Sequence, residues 1–465
     1  MDGYLRYRCL SIKSMSCGLK AASHGNGPTN VTKGAIRRQS LGKSLTLFLV
    51  LLLVATALGC RTAGTRQPAP DACALALAPH SGDKPIDLEI IRLQDRAKHS
   101  TSRPQTFEQL GWAYVQKARV AFDQGFYKLA EQCASCIASQ EPDSPEALLL
   151  KGYVLCNLHR FKEAEAIARR VTERRSAPFD FGLLGDALME QGRLNEAIDA
   201  YQKMVDLKPG PQAYTRIAHV RWLKGDLEGA IEMMRKAAGA IATRDAESAA
   251  WAYSRLALYE LQAGSMQVAE RACEAALHLR NDYAPALMVR ARICLARNKN
   301  EQAAQLMRQA ARINPLPEYK WILAESLRAA GHTREAQDIE EEIMVRGQAD
   351  DPRTVALFLT TRGERLADAL SLAEQETNVR GDIFTLDAFA WALAATGKAN
   401  EARDQIRRAL AEGTEDARLF YHAGSILARS GQKQEARLML GKAAALKQML
   451  LPTEKEGLSN ELRGL

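Results

Sequence analysis

The chain has 465 residues, of which 46% are hydrophobic and 25% charged, a composition typical of a folded globular protein. Its net charge is +8, which would point to nucleic acid if the excess were spread over the folded part. Residues 1–59, however, hold eight basic residues and one acid, which leaves 55 basic and 54 acidic residues elsewhere. The remainder is therefore nearly neutral, and we expect no nucleic acid partner because the basic stripe that such binding needs is absent.

The N-terminal extension, residues 1–59, contains an apolar segment at 45–58 that carries no charged residue. Lys33, Arg37, Arg38 and Lys43 precede this segment. A basic flank before an apolar stretch that is short for a membrane span is typical of a secretory signal peptide. We therefore expect the protein to be exported.

The end of the apolar segment, Ala57-Leu58-Gly59-Cys60, resembles the bacterial lipobox, in which a small residue precedes a cysteine that is lipidated. The family usually has leucine three positions before the cysteine, where this chain has Ala57. The resemblance implies that Cys60 carries a lipid anchor and that the protein is a lipoprotein of the bacterial cell envelope. The alternative is a signal-anchor helix that is not cleaved, with Cys60 a chance residue.

Residues 60–105 contain several prolines and glycines and little apolar periodicity. We predict a flexible tether that holds the folded part away from the membrane, on the periplasmic side. Folding is expected to begin near Thr106.

Ten alanines recur through the remaining chain at gaps of 33 or 34 residues, with a single gap of 39. A fixed period of this length predicts an array of similar units rather than one globular core. The long gap predicts an insertion at about Gly239–Glu247. The ten positions are Ala130, Ala164, Ala197, Ala230, Ala269, Ala303, Ala336, Ala369, Ala402 and Ala436.

The third unit shows the local pattern most clearly. Phe181, Leu184, Gly185 and Leu188 follow the spacing of one helix face, and Gly192 ends that helix. A second helix begins near Leu194 and buries Ala197, Tyr201 and Met204 until Pro209 ends it. Small residues such as Gly185 and Ala197 are expected to let the two helices approach closely.

This pattern resembles the tetratricopeptide repeat, with a small residue at position 8, glycine at 15, alanine at 20 and proline at 32. The match covers about residues 111–448. The resemblance implies an all-α fold, an α-solenoid of about ten helix-turn-helix repeats that forms a right-handed superhelix. We assign the repeat array to 106–448 and a C-terminal cap or tail to 449–465.

In the tetratricopeptide fold, positions 2, 5, 9, 12 and 13 of the first helix face the concave groove, and all five tryptophans of this chain occupy such positions. Aromatic side chains supply large contact area at low entropy cost, so we predict a protein or peptide partner in this groove. The alternative is that these residues pack against neighbouring helices. The predicted groove residues are Trp112, Phe122, Tyr153, Phe179, Trp222, Trp251, Trp321, Phe384, Trp391 and Tyr421.

Charged residues also reach the groove positions with alternating sign, which suits a mixed peptide. They are Arg119, Asp186, Arg292, Glu325, Asp387 and Arg418.

The chain lacks the phosphate-binding loop, the zinc-protease motif and the nucleophile-elbow motif. Its eight histidines are scattered, so we predict no metal, no cofactor and no small-molecule substrate. Cys133 and Cys136 fall in the middle of a helix at core-like positions, and we interpret them as buried packing residues. Export would also permit disulfides, and a Cys136–Cys156 pair is geometrically conceivable.

We therefore expect a membrane-anchored scaffold for protein–protein interaction in a cell-envelope complex, and not an enzyme. The alternative is a recruiting subunit of an enzyme complex, with catalysis in another chain because the array runs to within 17 residues of the end. An intracellular chaperone adaptor is a third possibility, which requires residues 45–60 to have no targeting role.

Overall fold

A computed structural model describes residues 71–99, 103–241 and 245–464. These residues form 23 α-helices and one short 3₁₀ helix, and they contain no strand. Twenty of the helices form ten consecutive antiparallel pairs, numbered here as repeats 1 to 10. The predicted all-α solenoid of about ten helix-turn-helix repeats is confirmed.

Each repeat consists of a first helix and a second helix that pack against each other and against the next repeat. The first helices of repeats 1 to 10 are Arg103–Ala121, Pro145–Asn157, Pro178–Glu190, Pro211–Leu223, Ala246–Gln262, Ala284–Ala296, Pro317–Ala329, Pro352–Arg362, Ile383–Ala395 and Ala417–Arg429. The second helices are Gly125–Gln140, Phe161–Arg174, Leu194–Leu207, Leu227–Ala240, Met266–Leu279, Asn300–Ile313, Thr333–Asp350, Leu366–Val379, Ala399–Leu410 and Lys433–Ala445.

The ten periodic alanines lie on the second helices where these face the first helices, and each has a solvent exposure of 0%. Gly185 shows why small residues are needed there. A Cβ atom on Gly185 would lie 2.3 Å from the Tyr201 ring, so any side chain would force the two helices apart. Shape complementarity at this contact therefore sets the spacing within the repeat.

The residue five positions before the periodic alanine usually adopts the left-handed backbone conformation that turns the chain between the two helices. Gly192 (φ +77°) and Gly264 (φ +78°) do so at no steric cost, and His159 (φ 58°) does so without being glycine. Repeat 1 departs from the pattern, because Gly125 begins the second helix and Phe122 (φ 55°) takes the left-handed conformation instead.

Residues 71–99, which the sequence analysis places in a flexible tether, instead form the helices Ala72–Ala76 and Pro85–His99. Apolar side chains of the second of these helices, such as Ile90 and Leu93, are buried against repeat 1. The five-residue first helix is too short to show a sequence pattern. Ile86, Ile90, Leu93 and Ala97 of the second helix do follow the spacing of one helix face, a signal that the sequence analysis missed.

The cysteine prediction was half wrong. Cys133 is buried with no disulfide, as expected. Cys136, in contrast, forms a disulfide with Cys73 rather than with Cys156, which is a buried free thiol. The bridge joins the Ala72–Ala76 helix to the second helix of repeat 1, a pairing that the sequence analysis did not consider.

The chain after repeat 10 forms the 3₁₀ helix Lys447–Met449 and the α-helix Pro452–Gly464. This C-terminal segment does not simply cover the end of the array. Gln448 donates its side-chain amide to the carbonyl of Gln262 in repeat 5 (2.8 Å), and Thr453 donates its hydroxyl to Glu325 in repeat 7 (2.9 Å). The segment therefore lies across the ends of earlier first helices.

Successive turns of the superhelix are in direct contact. The Gly381 amide donates to the Glu190 carbonyl (3.0 Å), and Thr414 donates its hydroxyl to the Leu223 carbonyl (2.5 Å). Repeats 3–7 thus meet repeats 9 and 10 and the C-terminal segment along a line that we call the inter-turn seam. The concave face is consequently wound around an interior space instead of forming a widely open groove.

Candidate binding cavities inside the superhelix

The interior of the superhelix holds a cavity of about 350 Å³, called here the central cavity. All eight first helices from repeat 3 to repeat 10 contribute to its wall, together with Met449 of the C-terminal segment. A space of this size lies at the lower end of the range of small-ligand sites, roughly 300–1,000 Å³.

A second cavity of about 110 Å³, the side cavity, lies between repeats 1 and 2 and repeats 5–7. It shares Arg255, Leu258 and Met288 with the central cavity, so the two spaces adjoin each other. The first helix of repeat 5, which contributes Arg255 and Leu258, separates them.

Five of the ten predicted groove residues line these cavities. Trp222, Trp321 and Phe384 line the central cavity, whereas Phe122 and Trp251 line the side cavity. Trp222 and Phe384 also stack on each other across the inter-turn seam, with ring centroids 5.5 Å apart. These two residues therefore hold adjacent turns together as well as facing the interior.

Four other predicted residues pack between neighbouring first helices. Trp112 meets Tyr153 edge-on at 5.4 Å, and Trp391 lies near Tyr421 at 5.6 Å and stacks on His422 at 4.2 Å. Phe179 is half-buried at the beginning of the first helix of repeat 3. None of these five lines either cavity, and a role in binding a partner stays a prediction for all ten.

The charged residues predicted at the groove have partners within the chain. Arg119 pairs with Glu247, and Asp186 accepts hydrogen bonds from Arg216 and Tyr201. The remaining four pairings are Asp387 with His422, Arg418 with Glu454, Glu325 with Thr453 and Arg292 with the Met449 carbonyl. The six charged residues that the sequence analysis predicted to face a peptide therefore make their contacts within the chain.

Ion pairs beside the seam set the electrostatics at one side of the central cavity. Arg353 pairs with Asp382 at 3.2 Å, and Arg380 approaches Glu190 at 3.6 Å. Burial opposes ionisation of Asp382, but Arg353 and Arg380 outweigh it and hold the pKa of this carboxyl below its usual value. Burial dominates at Glu190 and raises its pKa to about 7 in spite of Arg380.

His219 in the wall of the central cavity is neutral at physiological pH. Burial lowers its pKa to about 3, and the nearby Arg255 guanidinium contributes in the same direction. The positive charge at this point of the wall therefore comes from Arg255.

Sequence analysis missed Arg255 and Asn314, two of the polar residues that line the side cavity. Arg255 occupies position 6 of its repeat, which is not among the groove positions, and Asn314 occupies position 31, at the end of a second helix. Both residues face the interior because the turns of the superhelix are stacked. This stacking produces no local pattern in the sequence.

Within the described part of the chain, no group of three or more histidines, cysteines or acids is placed to hold a metal ion. Across residues 71–99, 103–241 and 245–464, none of the helices combines the length and apolar character needed to cross a membrane.

Comparison with known proteins assigns the repeat type. Residues 183–248 and 254–316 match the tetratricopeptide repeat family model, and residues 123–204 match the model of the anaphase-promoting complex, cyclosome, subunit 3. The fold is a tetratricopeptide-type solenoid. Solenoids of this type present extended concave surfaces that they use for binding.

Among curated proteins, human tetratricopeptide repeat protein 13 is 28% identical over 148 residues, which is 30% of this chain and 17% of that protein. The chain thus matches only about a sixth of this relative's length.

Several solved structures are similar to the chain at low identity and low TM-score. Human IFIT1 with PPP-AAAA has a TM-score of 0.44 at 13% identity and covers 81% of this chain and 94% of that one. Yeast Tom70 has a TM-score of 0.37 at 13% identity, covering 81% and 96%. PilF of Pseudomonas aeruginosa has a TM-score of 0.37 at 13% identity, covering 50% and 97%.

Proposed function

We propose that this protein is an exported, lipid-anchored scaffold that holds other proteins in a cell-envelope complex. The observation that carries the binding role is the run of ten consecutive tetratricopeptide-type helix pairs, because such solenoids provide extended recognition surfaces. The anchor rests on the lipobox-like sequence that ends at Cys60, which lies outside the described residues.

The Cys73–Cys136 disulfide supports the export part of the proposal. Disulfides persist in oxidising compartments such as the periplasm and are rare where thiols are kept reduced. The bridge begins 13 residues after Cys60, so it would join the folded array to the segment that follows the lipid within a short stretch of chain.

Metabolic labelling with an alkyne-modified palmitate tests the anchor. We expect the wild-type chain to be labelled and Cys60→Ala to be unlabelled, because the thiol of Cys60 is the proposed lipid attachment site. Cys294→Ala, which removes a half-buried free cysteine, is the matched control and should be labelled like the wild type. Equal labelling of Cys60→Ala and wild type would refute lipidation at this residue.

A photo-crosslinking amino acid tests the scaffold role in cells. Placed at Phe179, which is half-buried at a concave-face position, it should form adducts with a defined set of proteins. The same probe at Leu438, which is 59% exposed on a second helix of repeat 10, reports the outer surface. Identical adducts from both positions, or none from Phe179, would contradict recognition through the concave face.

A further inference from the structure

We propose that the central and side cavities form one binding site for a small aromatic carboxylate that carries a hydrogen-bond donor, with Arg255 as the anchor for its anionic group. Such a ligand is distinct from the protein partners of the scaffold. It would bind inside the superhelix, where eight first helices and the inter-turn seam surround it.

Arg255 is the first reason. Two other arginines of the central cavity wall pair with carboxylates, Arg353 with Asp382 and Arg418 with Glu454. Arg255 is half-buried, and within the described residues its guanidinium makes no ion pair with a carboxylate. Among the described residues it contacts Tyr259, whose hydroxyl it reaches at 3.4 Å and whose ring it faces at 5.2 Å.

A half-buried guanidinium without a carboxylate is unusual, because removing a charge from water costs free energy that a partner normally offsets. Tyr259 offers only a weak, neutral contact, and burial keeps the neighbouring His219 neutral, so the described residues place no carboxylate against this positive charge. An anion at the junction of the two cavities would supply the missing charge and accept two parallel hydrogen bonds from the guanidinium.

The side cavity is the second reason, because it suits a flat apolar group. Aromatic rings of Phe122, Tyr127, Trp251 and Tyr319 line it. Its volume of about 110 Å³ is of the same order as the ~150 Å³ of a protein cavity that holds one benzene molecule. Trp251 precedes Arg255 by one helical turn, so both side chains lie on the same face of the first helix of repeat 5.

Asn314 is the third reason. Its side chain is 2% exposed and lines the side cavity, yet its Oδ1 atom accepts no hydrogen bond from the described residues. Buried polar atoms are normally satisfied, and an unsatisfied acceptor in a cavity wall calls for a donor from outside the chain. A hydroxyl on the ligand ring would provide it, while the carboxylate reaches Arg255.

Isothermal titration of the full chain in nanodiscs tests the site with four matched probes. The probes are 3-(4-hydroxyphenyl)propionate, 3-phenylpropionate, 3-phenylpropanol and 3-phenylpropylamine. We expect affinity to fall in that order, because the second probe lacks the donor, the third lacks the anionic charge and the fourth carries a cation toward Arg255. Equal binding of acid and amine, or no binding of any probe at millimolar concentration, would overturn the proposal.

Variants locate the binding. Arg255→Gln should weaken 3-phenylpropionate binding about ten- to hundredfold, because that loss of affinity corresponds to the free energy of a charge-assisted hydrogen bond. Arg255→Lys keeps the positive charge and should retain part of the affinity. Arg271→Gln removes an exposed arginine from the second helix of the same repeat, which lines neither cavity, and should change nothing. Asn314→Leu should abolish the preference for the hydroxylated probe. Thermal unfolding verifies that each variant folds, and unchanged binding to folded Arg255→Gln would overturn the site.

Discussion

At the scale of single residues, turn glycines with the same backbone conformation differ in what surrounds them. Gly192 (φ +77°) and Gly264 (φ +78°) occupy the same position of their repeats. A Cβ atom at Gly264 would meet nothing within 4 Å, whereas one at Gly192 would lie 2.2 Å from the carbonyl oxygen of Gly381. Gly192 therefore has a second role, since it allows repeat 9 to dock on repeat 3.

This difference yields a matched pair of substitutions. Gly264→Ala should lower the free energy of unfolding by about 1–2 kcal/mol, because alanine is disfavoured in the left-handed region. Gly192→Ala has the same backbone cost and also displaces the Gly381 carbonyl, so we expect a further loss of about 1–3 kcal/mol from disturbed seam contacts.

Denaturant unfolding followed by circular dichroism measures both variants. Small-angle scattering should show an expanded particle for Gly192→Ala only. Equal destabilisation of the two variants would mean that the contact between Gly192 and Gly381 contributes nothing to the closed superhelix.

At the scale of elements, the two N-terminal helices act as a cap on repeat 1. The Tyr114 hydroxyl donates to the Ala76 carbonyl (2.8 Å), and Gln94 donates to the Ala78 carbonyl (2.7 Å). Lys117 pairs with buried Asp87 at 2.7 Å. The cap covers apolar surface that an open end of the array would otherwise expose to water.

The disulfide should contribute strongly to holding this cap in place. Cys73 and Cys136 are 63 residues apart, and closing a loop of that length restricts the unfolded chain by about 4 kcal/mol in the chain-entropy model. We expect Cys73→Ser to lower the unfolding midpoint and to speed amide hydrogen exchange in residues 85–99.

Cys294→Ser serves as the control, because Cys294 is a half-buried free cysteine in the first helix of repeat 6. A reducing agent should reproduce the effect of Cys73→Ser in the wild-type protein. Stability that is insensitive to both treatments would show that the noncovalent contacts of the cap are sufficient.

At the scale of the whole molecule, the inter-turn seam decides the shape. Trp222 of repeat 4 stacks on Phe384 of repeat 9, and Lys224 pairs with Glu412 at 2.5 Å. A solenoid without such contacts is stabilised by nearest neighbours alone, and its turns can open and close. Contacts between residues more than 150 positions apart make this array a closed body.

A double-mutant cycle measures the seam. Trp222→Ala and Phe384→Ala should show a coupling free energy of about 0.5–1.5 kcal/mol, as expected for an aromatic pair. The double variant should also have a larger radius of gyration in small-angle scattering, because the turns separate.

The pair Trp112 and Tyr153 provides the comparison, since these rings touch between adjacent repeats 1 and 2. Their double variant should lose stability without expanding the particle. Expansion in both cases, or in neither, would be inconsistent with a special role of the seam.

Much of the local structure was predictable from sequence because it depends on residues within one repeat. The alanine register predicted ten buried contacts, and glycines such as Gly331 and Gly397 predicted left-handed turns. Repeats 1 and 8 depart from the expected turn position. Gly125 is displaced by three residues from the turn at Phe122, and in repeat 8 the left-handed conformation falls on Gly363, one residue before the expected position.

The candidate site was only partly predictable. The register placed Trp222, Trp321 and Phe384 on the concave face, and they do line the central cavity. It could not distinguish them from Trp391, which stacks on buried His422, because both arrangements use the same positions of the first helix. Nor could it find Arg255, whose surroundings include side chains from repeats far along the chain.

The sequence by itself thus determined the type, number and register of the helix pairs, because a 33- or 34-residue period of small and apolar residues admits few other structures. Only the tertiary structure decided that the superhelix closes on itself. The reason is that its pitch sums small rotations at nine successive repeat interfaces, and no short segment of sequence encodes that sum. The seam and the two cavities follow from this closure, and so does the position of Arg255, which has no carboxylate partner among the described residues.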